Sequence, residues 1–164
     1  MITIVPTKIS NIPSIKLPII VRGKSFINSL TKIAANKRII IFGVRGSFTP
    51  TCSEKHLPGY IKNVDQFKSK GINQIICISV NDPFVMDAWG KANKVGNNIL
   101  MLADPLINFT KAIGAEVNKS GRGLGIRSNR YVMLIDNLKV LNIKEETDTG
   151  TCEISAAENF LKLV

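Results

Sequence analysis

The sequence predicts an α/β protein: a mixed central β-sheet flanked by helices on both faces. Three observations carry that expectation. The nearly continuous apolar runs Ile39 to Val44 and Gln74 to Val80 have the length of strands buried on both faces. Between them Leu57, Tyr60, Ile61, Val64 and Phe67 recur at helical spacing, which makes a β-α-β unit. Later, Tyr131 to Ile135 and Lys139 to Ile143 meet at Asp136-Asn137 as a hairpin, so the sheet contains both strand directions.

The other elements follow in order. Residues 1–37 read as a hairpin-like start and a helix around Phe26 to Ala35. After the second apolar run, Asp82 and Pro83 match an N-cap followed by proline in the first turn. They open a helix through Val85, Met86 and Trp89 that fades near Gly90 to Asn93. Asn98 to Leu102 reads as a short strand before Asp104-Pro105, and Phe109 to Ile113 as a short helix. The glycines of Gly121-Arg122-Gly123-Leu124-Gly125 do not directly follow a strand and open a helix, as a dinucleotide loop must, so they read as a turn. Ser155 to Leu163 closes the chain as a helix, with Ser155 as N-cap and Glu158 completing a capping box.

The 164 residues fit one domain, 1–164, and 45% hydrophobic with 21% charged residues argues against disorder. The apolar runs are too short to span a bilayer, and the first twenty residues lack the charge and apolar order of a signal peptide. Cys52, Cys77 and Cys152 are too few and too far apart for a secreted disulfide framework or a zinc knuckle, so a reducing, cytoplasmic setting is expected. The net charge of +10 is spread along the chain without a basic run or interleaved aromatics. It reads as a basic surface that attracts anions in general, not as a nucleic-acid site.

Cys52 is the residue most suited to chemistry. Phe48-Thr49-Pro50-Thr51-Cys52 links a buried strand to a helix, where unsatisfied backbone N–H groups and the helix dipole favour a thiolate. The segment Gly43 to Gly59 resembles the active-site segment of type II peroxiredoxins, the peroxiredoxin-V class. The resemblance continues through Ile78 to Met86, Leu102 to Pro105, Gly123 to Tyr131 and Ser155 to Leu161, in colinear order. It implies a thioredoxin-like fold and a thiol-dependent peroxidase that acts on hydrogen peroxide and organic hydroperoxides without metal or other cofactor. By the family pattern Cys52 is the peroxidatic cysteine, and Thr49 and Arg130 are its catalytic companions. A hydroxyl and a fixed guanidinium suit that role, because the peroxide oxygens must be held and the departing oxyanion stabilised.

One departure stands out in the active-site loop of Arg45, Phe48 and Pro50: Arg45 replaces the family's usual proline four positions before the threonine. Its guanidinium is expected either to lower the thiol pKa further or to point to solvent. An alternative to turnover is a redox sensor or binding protein of the same fold. After attack Cys52 becomes a sulfenic acid that a second thiol must resolve. Cys77 has the spacing of the resolving cysteine in the plant and bacterial branch of the family. Cys152 lies near where the animal branch has its own, and an external thiol is the third route. The resemblance implies glutathione with glutaredoxin, or thioredoxin, as reductant, and a homodimer. His56, four residues after Cys52, superficially suggests a Cys-His hydrolase, but no partner for it is visible and it reads as a structural residue.

Overall fold

The computed structural model describes residues 9–51, 55–147 and 152–164. In chain order it contains β1 (Lys16–Val21), β2 (Lys24–Ser29), α1 (Leu30–Ala34), β3 (Arg38–Val44), α2 (Leu57–Lys62), α3 (Val64–Ser69), β4 (Gln74–Ser79) and α4 (Pro83–Ala92). Then come β5 (Ile99–Ala103), α5 (Asn108–Ala112), β6 (Glu116–Asn118), β7 (Ile126–Ser128), β8 (Tyr131–Asp136), β9 (Lys139–Glu145) and α6 (Ala157–Leu161).

Five strands form the central sheet in the order β5-β4-β3-β8-β9. β3, β4 and β5 run parallel, whereas β8 is antiparallel to β3 and β9 antiparallel to β8. The central strands are apolar on both faces because both faces are covered. Ile40, Phe42, Val44, Cys77, Val132 and Leu134 point to one side and meet side chains of α2, α3, α4 and α6. Ile39, Ile41, Ile76, Ile78, Met133 and Ile135 point to the other and meet α1, α5 and β1. The expected mixed sheet with helices on both faces is therefore the one observed.

Four local expectations change. Phe26 to Ser29 belongs to β2 and not to a helix. Arg22 (φ 50°) and Gly23 (φ 77°) both take left-handed conformations, as a tight hairpin turn requires, and the helix starts only at Leu30. The single helical pattern through Phe67 is broken at Asn63, whose Nδ2 donates to the Gly59 carbonyl at 2.8 Å and competes with the helical ladder. Ser155 caps nothing: its N–H and hydroxyl donate to Glu146 Oε1 at 2.9 and 3.1 Å, and α6 starts after Ala156 with no side-chain cap. Finally β6 and β7, three residues each, pair across the glycine turn. Neither is long enough to show a period in the sequence.

Asp82 does cap α4, accepting from the N–H groups of Phe84 and Val85 at 2.8 and 2.9 Å. Among the described residues no helix is long and apolar enough to cross a membrane.

Candidate active site

The site forms where β3, β4 and β5 end, the edge from which open parallel sheets present ligand-binding loops. β3 pairs with β8 so that Gly43 faces Tyr131, and continuing that register sets Arg130 beside Val44. The close pairing there needs a glycine: a Cβ on Gly43 would fall 2.0 Å from the Tyr131 ring. Burial pushes the Tyr131 phenol up, with the nearby Asp104 charge adding to it, so Tyr131 stays a neutral packing group. Arg130, just ahead of β8, is fully buried, and a guanidinium in that setting can be aimed but not displaced cheaply.

From the β3 side comes the loop Arg45 to Pro50. Thr49 is half-buried, and its Oγ1 donates to the Gly46 carbonyl at 2.7 Å. The Thr49 proton is therefore committed, and its oxygen is left to accept a hydrogen bond from a bound O–H. Thr49 Oγ1 is thus available as an acceptor, whereas a guanidinium such as that of Arg130 offers only donors. Phe48 has φ 62°, a left-handed conformation costing a residue with a side chain roughly 1–2 kcal/mol, and its exposed ring lies 6.5 Å from that of Trp89. Pro50 is exposed and helical, Thr51 is helical and half-buried, and Lys55 and His56 are helical. Cys52 itself lies outside the described residues.

Two residues without an assigned role in the sequence organise this loop. Asn81, just after β4, accepts at Oδ1 from the Ser47 N–H (2.9 Å) and the Ser79 hydroxyl (2.6 Å). Arg127 donates from Nε to the Leu124 carbonyl (2.7 Å) and from Nη1 to the Val80 carbonyl (2.9 Å). The same Nη1 lies 3.1 Å from where a Cβ on Gly46 would sit. One guanidinium thus ties the glycine turn to the end of β4 and roofs the loop glycine. Its only signal in the sequence is a place in the segment Gly123 to Tyr131.

His56 is buried over the sheet, its ring 5.1 Å from Phe42 and 5.7 Å from Tyr60. Burial first, and the Arg130 charge second, lower its pKa to about 3, against a weaker opposing influence of the Ser155 backbone. Neither ring nitrogen makes a hydrogen bond of good geometry among the described residues. A neutral imidazole with that pKa is a poor base near neutrality, so its part here is packing and not hydrolysis.

Cys77 is fully buried in β4 beside Phe42. Cys152 is half-buried and lines a small cleft with Lys55, Pro58, Lys62 and Glu158. The chain after it is tied down by hydrogen bonds. The buried Glu146 carboxylate accepts from the N–H of Glu153 at 2.6 Å as well as from Ser155, and the Tyr60 hydroxyl donates to the Ser155 carbonyl at 2.7 Å. The preceding turn, Asp148-Thr149-Gly150, lies outside the described residues. The structure also excludes the expectation that Arg45 points to solvent: it is buried, with 8% of its surface exposed.

A buried guanidinium and a threonine oxygen at the end of a thioredoxin-like sheet fit the thiol peroxidase expected from the sequence. The comparisons agree. The Redoxin family profile matches residues 10–161. Over 134 residues the chain is 48% identical to peroxiredoxin-2D of Arabidopsis thaliana, covering 82% of each protein. A reduced peroxiredoxin of Vibrio vulnificus in complex with hydrogen peroxide superposes with a TM-score of 0.89 at 42% identity, covering 96% of this chain and 98% of that one. Peroxiredoxin 5 of Alvinella pompejana gives a TM-score of 0.81 at 36% identity, covering 96% of this chain and 97% of that one. The chain belongs to the redoxin family and, within it, to the type II peroxiredoxins. It is a thiol-dependent peroxidase, an enzyme of a group that acts on peroxides with thiol reductants and commonly forms oligomers.

Proposed function

We propose that Cys52 is the peroxidatic thiolate and that Thr49 and Arg130 hold the peroxide against it. The observation that carries this reading is the placement of Arg130 beside the end of β3, from which the Thr49 loop departs. The thiolate attacks one peroxide oxygen, an S–O bond forms as the O–O bond breaks, and the departing oxyanion takes a proton. Arg130 stabilises the charge that grows on that oxygen, while Thr49 accepts from the peroxide O–H and fixes its direction. Hydrogen peroxide and small organic hydroperoxides are the substrates. Steady-state peroxide consumption with a dithiol donor tests the assignment: Cys52→Ser removes turnover with the fold intact, and retained turnover would overturn it.

Cys77 is the proposed resolving residue. Its burial means that a Cys52-Cys77 bond requires opening of the helical turn after Thr49 and loosening of the end of β4, since the two Cα atoms must come within about 7 Å. Oxidation then lowers thermal stability. Peptide mapping after one equivalent of peroxide distinguishes this pair from a Cys152 link or from glutathionylated Cys52. The reductant is glutathione with glutaredoxin, or thioredoxin, in the reducing cytoplasm, and the protein acts as one domain over 1–164.

A homodimer through the active-site edge completes the proposal. Phe48 (57%), Phe84 (69%) and Leu106 (74%) are exposed, and each follows one of the three parallel strands at its carboxyl end. An apolar rim of that kind favours a partner surface. Sedimentation of Phe84→Lys against the unchanged protein reads its contribution directly.

A further inference from the structure

Arg45 is the first residue after β3 and lies four positions before Thr49. It is 8% exposed, and its Nε is buried without a hydrogen-bond partner. Side chains of the loop that follows it, and the arginine over that loop, are hydrogen-bonded elsewhere. Ser47 donates to Met86 Sδ at 3.0 Å, Thr49 to the Gly46 carbonyl, and Arg127 to the Leu124 and Val80 carbonyls. The carboxylates that follow β4 and β5 are also engaged elsewhere. Asp82 caps α4, and Asp104 accepts from the N–H and hydroxyl of Thr110 at 2.8 and 2.7 Å and from the Phe109 N–H at 3.2 Å.

A guanidinium cannot shed its charge, and burying one without a counter-charge is costly. Arg127, over Gly46, and Arg130, beside the end of β3, add to the positive potential and do not offset it. Among the described residues no carboxylate is paired with Arg45, and a planar guanidinium pairs best with a carboxylate, through two parallel hydrogen bonds.

We propose that Arg45 is a specificity-determining residue that binds the carboxylate of acidic organic hydroperoxides, which this enzyme then reduces in preference to neutral ones of the same shape. The inference rests on the peroxidase reading of Cys52. The reaction is the same: the Cys52 sulfur takes one peroxide oxygen, the O–O bond breaks, and the hydroxy acid leaves after protonation. The thiol is oxidised by two electrons, which the thiol donor restores.

Competition kinetics of the reduced protein test this with two pairs of probes, para-carboxycumene hydroperoxide and linoleic acid hydroperoxide, each against its methyl ester. The unchanged protein is expected to favour the acid by about tenfold in at least one pair, as a charge-assisted bidentate contact would give. That preference shrinks at high ionic strength. Arg45→Met brings the acid-to-ester ratio close to one, and Arg45→Lys retains part of it. Equal rates for acid and ester in the unchanged protein, or a ratio that survives Arg45→Met, would overturn the inference. Hydrogen peroxide is run in parallel on the unchanged protein: no consumption of it would overturn the peroxidase reading of Cys52, whereas consumption without acid preference would remove only the role of Arg45. If Arg45→Met does not fold, the salt dependence and the Arg45→Lys ratio decide alone.

Discussion

The interiors of the central strands and their carboxyl ends follow opposite rules. Within β3 and β4 every side chain from Ile39 to Phe42 and from Ile75 to Ile78 is apolar or a thiol, buried, and matched to helices above and below. At the edge where these strands end, the chain buries Arg45 and Arg130, forces Phe48 and Ile107 into left-handed conformations, and exposes Phe84 and Leu106. The interior supplies the stability that lets the ends carry charge and strain, and strain that persists in this way concentrates where a protein does its chemistry.

Substitutions should therefore separate cleanly between stability and rate. Phe42→Ala, in the interior, removes a fully buried ring that stacks on Tyr60 at a centroid distance of 4.2 Å. It should cost about 3–5 kcal/mol in chemical denaturation. Arg130→Met, at the end, should slow Cys52 oxidation by tenfold or more, about 1.4 kcal/mol or above, in stopped-flow kinetics. If Arg130→Met leaves the oxidation rate unchanged, the arginine belongs with the interior as a structural group.

His56 lies on the boundary between the two regions and sharpens the comparison through pH. Its folded pKa of about 3 is below the ordinary 6.5, so the unfolded chain binds the proton first as pH falls. The stability from neutral His56 is complete above about pH 6.5 and is lost towards pH 3, with a slope of up to about 1.4 kcal/mol per pH unit. His56→Phe, which keeps the ring contacts, should flatten denaturation midpoints across that window. An unchanged slope would place the acid sensitivity elsewhere.

The smallest expected effect belongs to Arg127→Met. It removes two hydrogen bonds to backbone carbonyls, worth roughly 1–2 kcal/mol together. The Gly46 loop should loosen, and the fluorescence of Trp89, the only tryptophan and a neighbour of Phe48, should report it. Gly46→Ala is disfavoured by Arg127 Nη1 at 3.1 Å and Thr49 Cγ2 at 3.2 Å. It should cost less activity in the Arg127→Met background than alone, and additive losses would show that the two residues do not act together.

The same division explains what the sequence revealed. β3, β4 and the β8–β9 hairpin were legible because burial on both faces writes itself as apolar runs, and α4 because Asp82-Pro83 is a local signal. The Ser155 cap fails because its competitor, Glu146, is nine residues away in sequence and matched only in space. Arg127 carries no mark in the sequence because its partners, Val80 and Leu124, are carbonyls that no residue pattern shows. The candidate residues Thr49, Cys52 and Arg130 came from their resemblance to a family pattern. The hydrogen bond that turns Thr49 into an acceptor is visible only in the fold.

The central claim is that peroxide oxygen is transferred to the sulfur of Cys52. Dimedone, which traps sulfenic acid, should be added to the Cys77→Ser/Cys152→Ser protein together with one equivalent of hydrogen peroxide, and the adduct located by peptide mass spectrometry. A single adduct on Cys52 is the predicted result, since no other protein thiol remains to resolve it. Absence of an adduct while peroxide is consumed, or a Cys52→Ser protein that still turns over, would contradict the account.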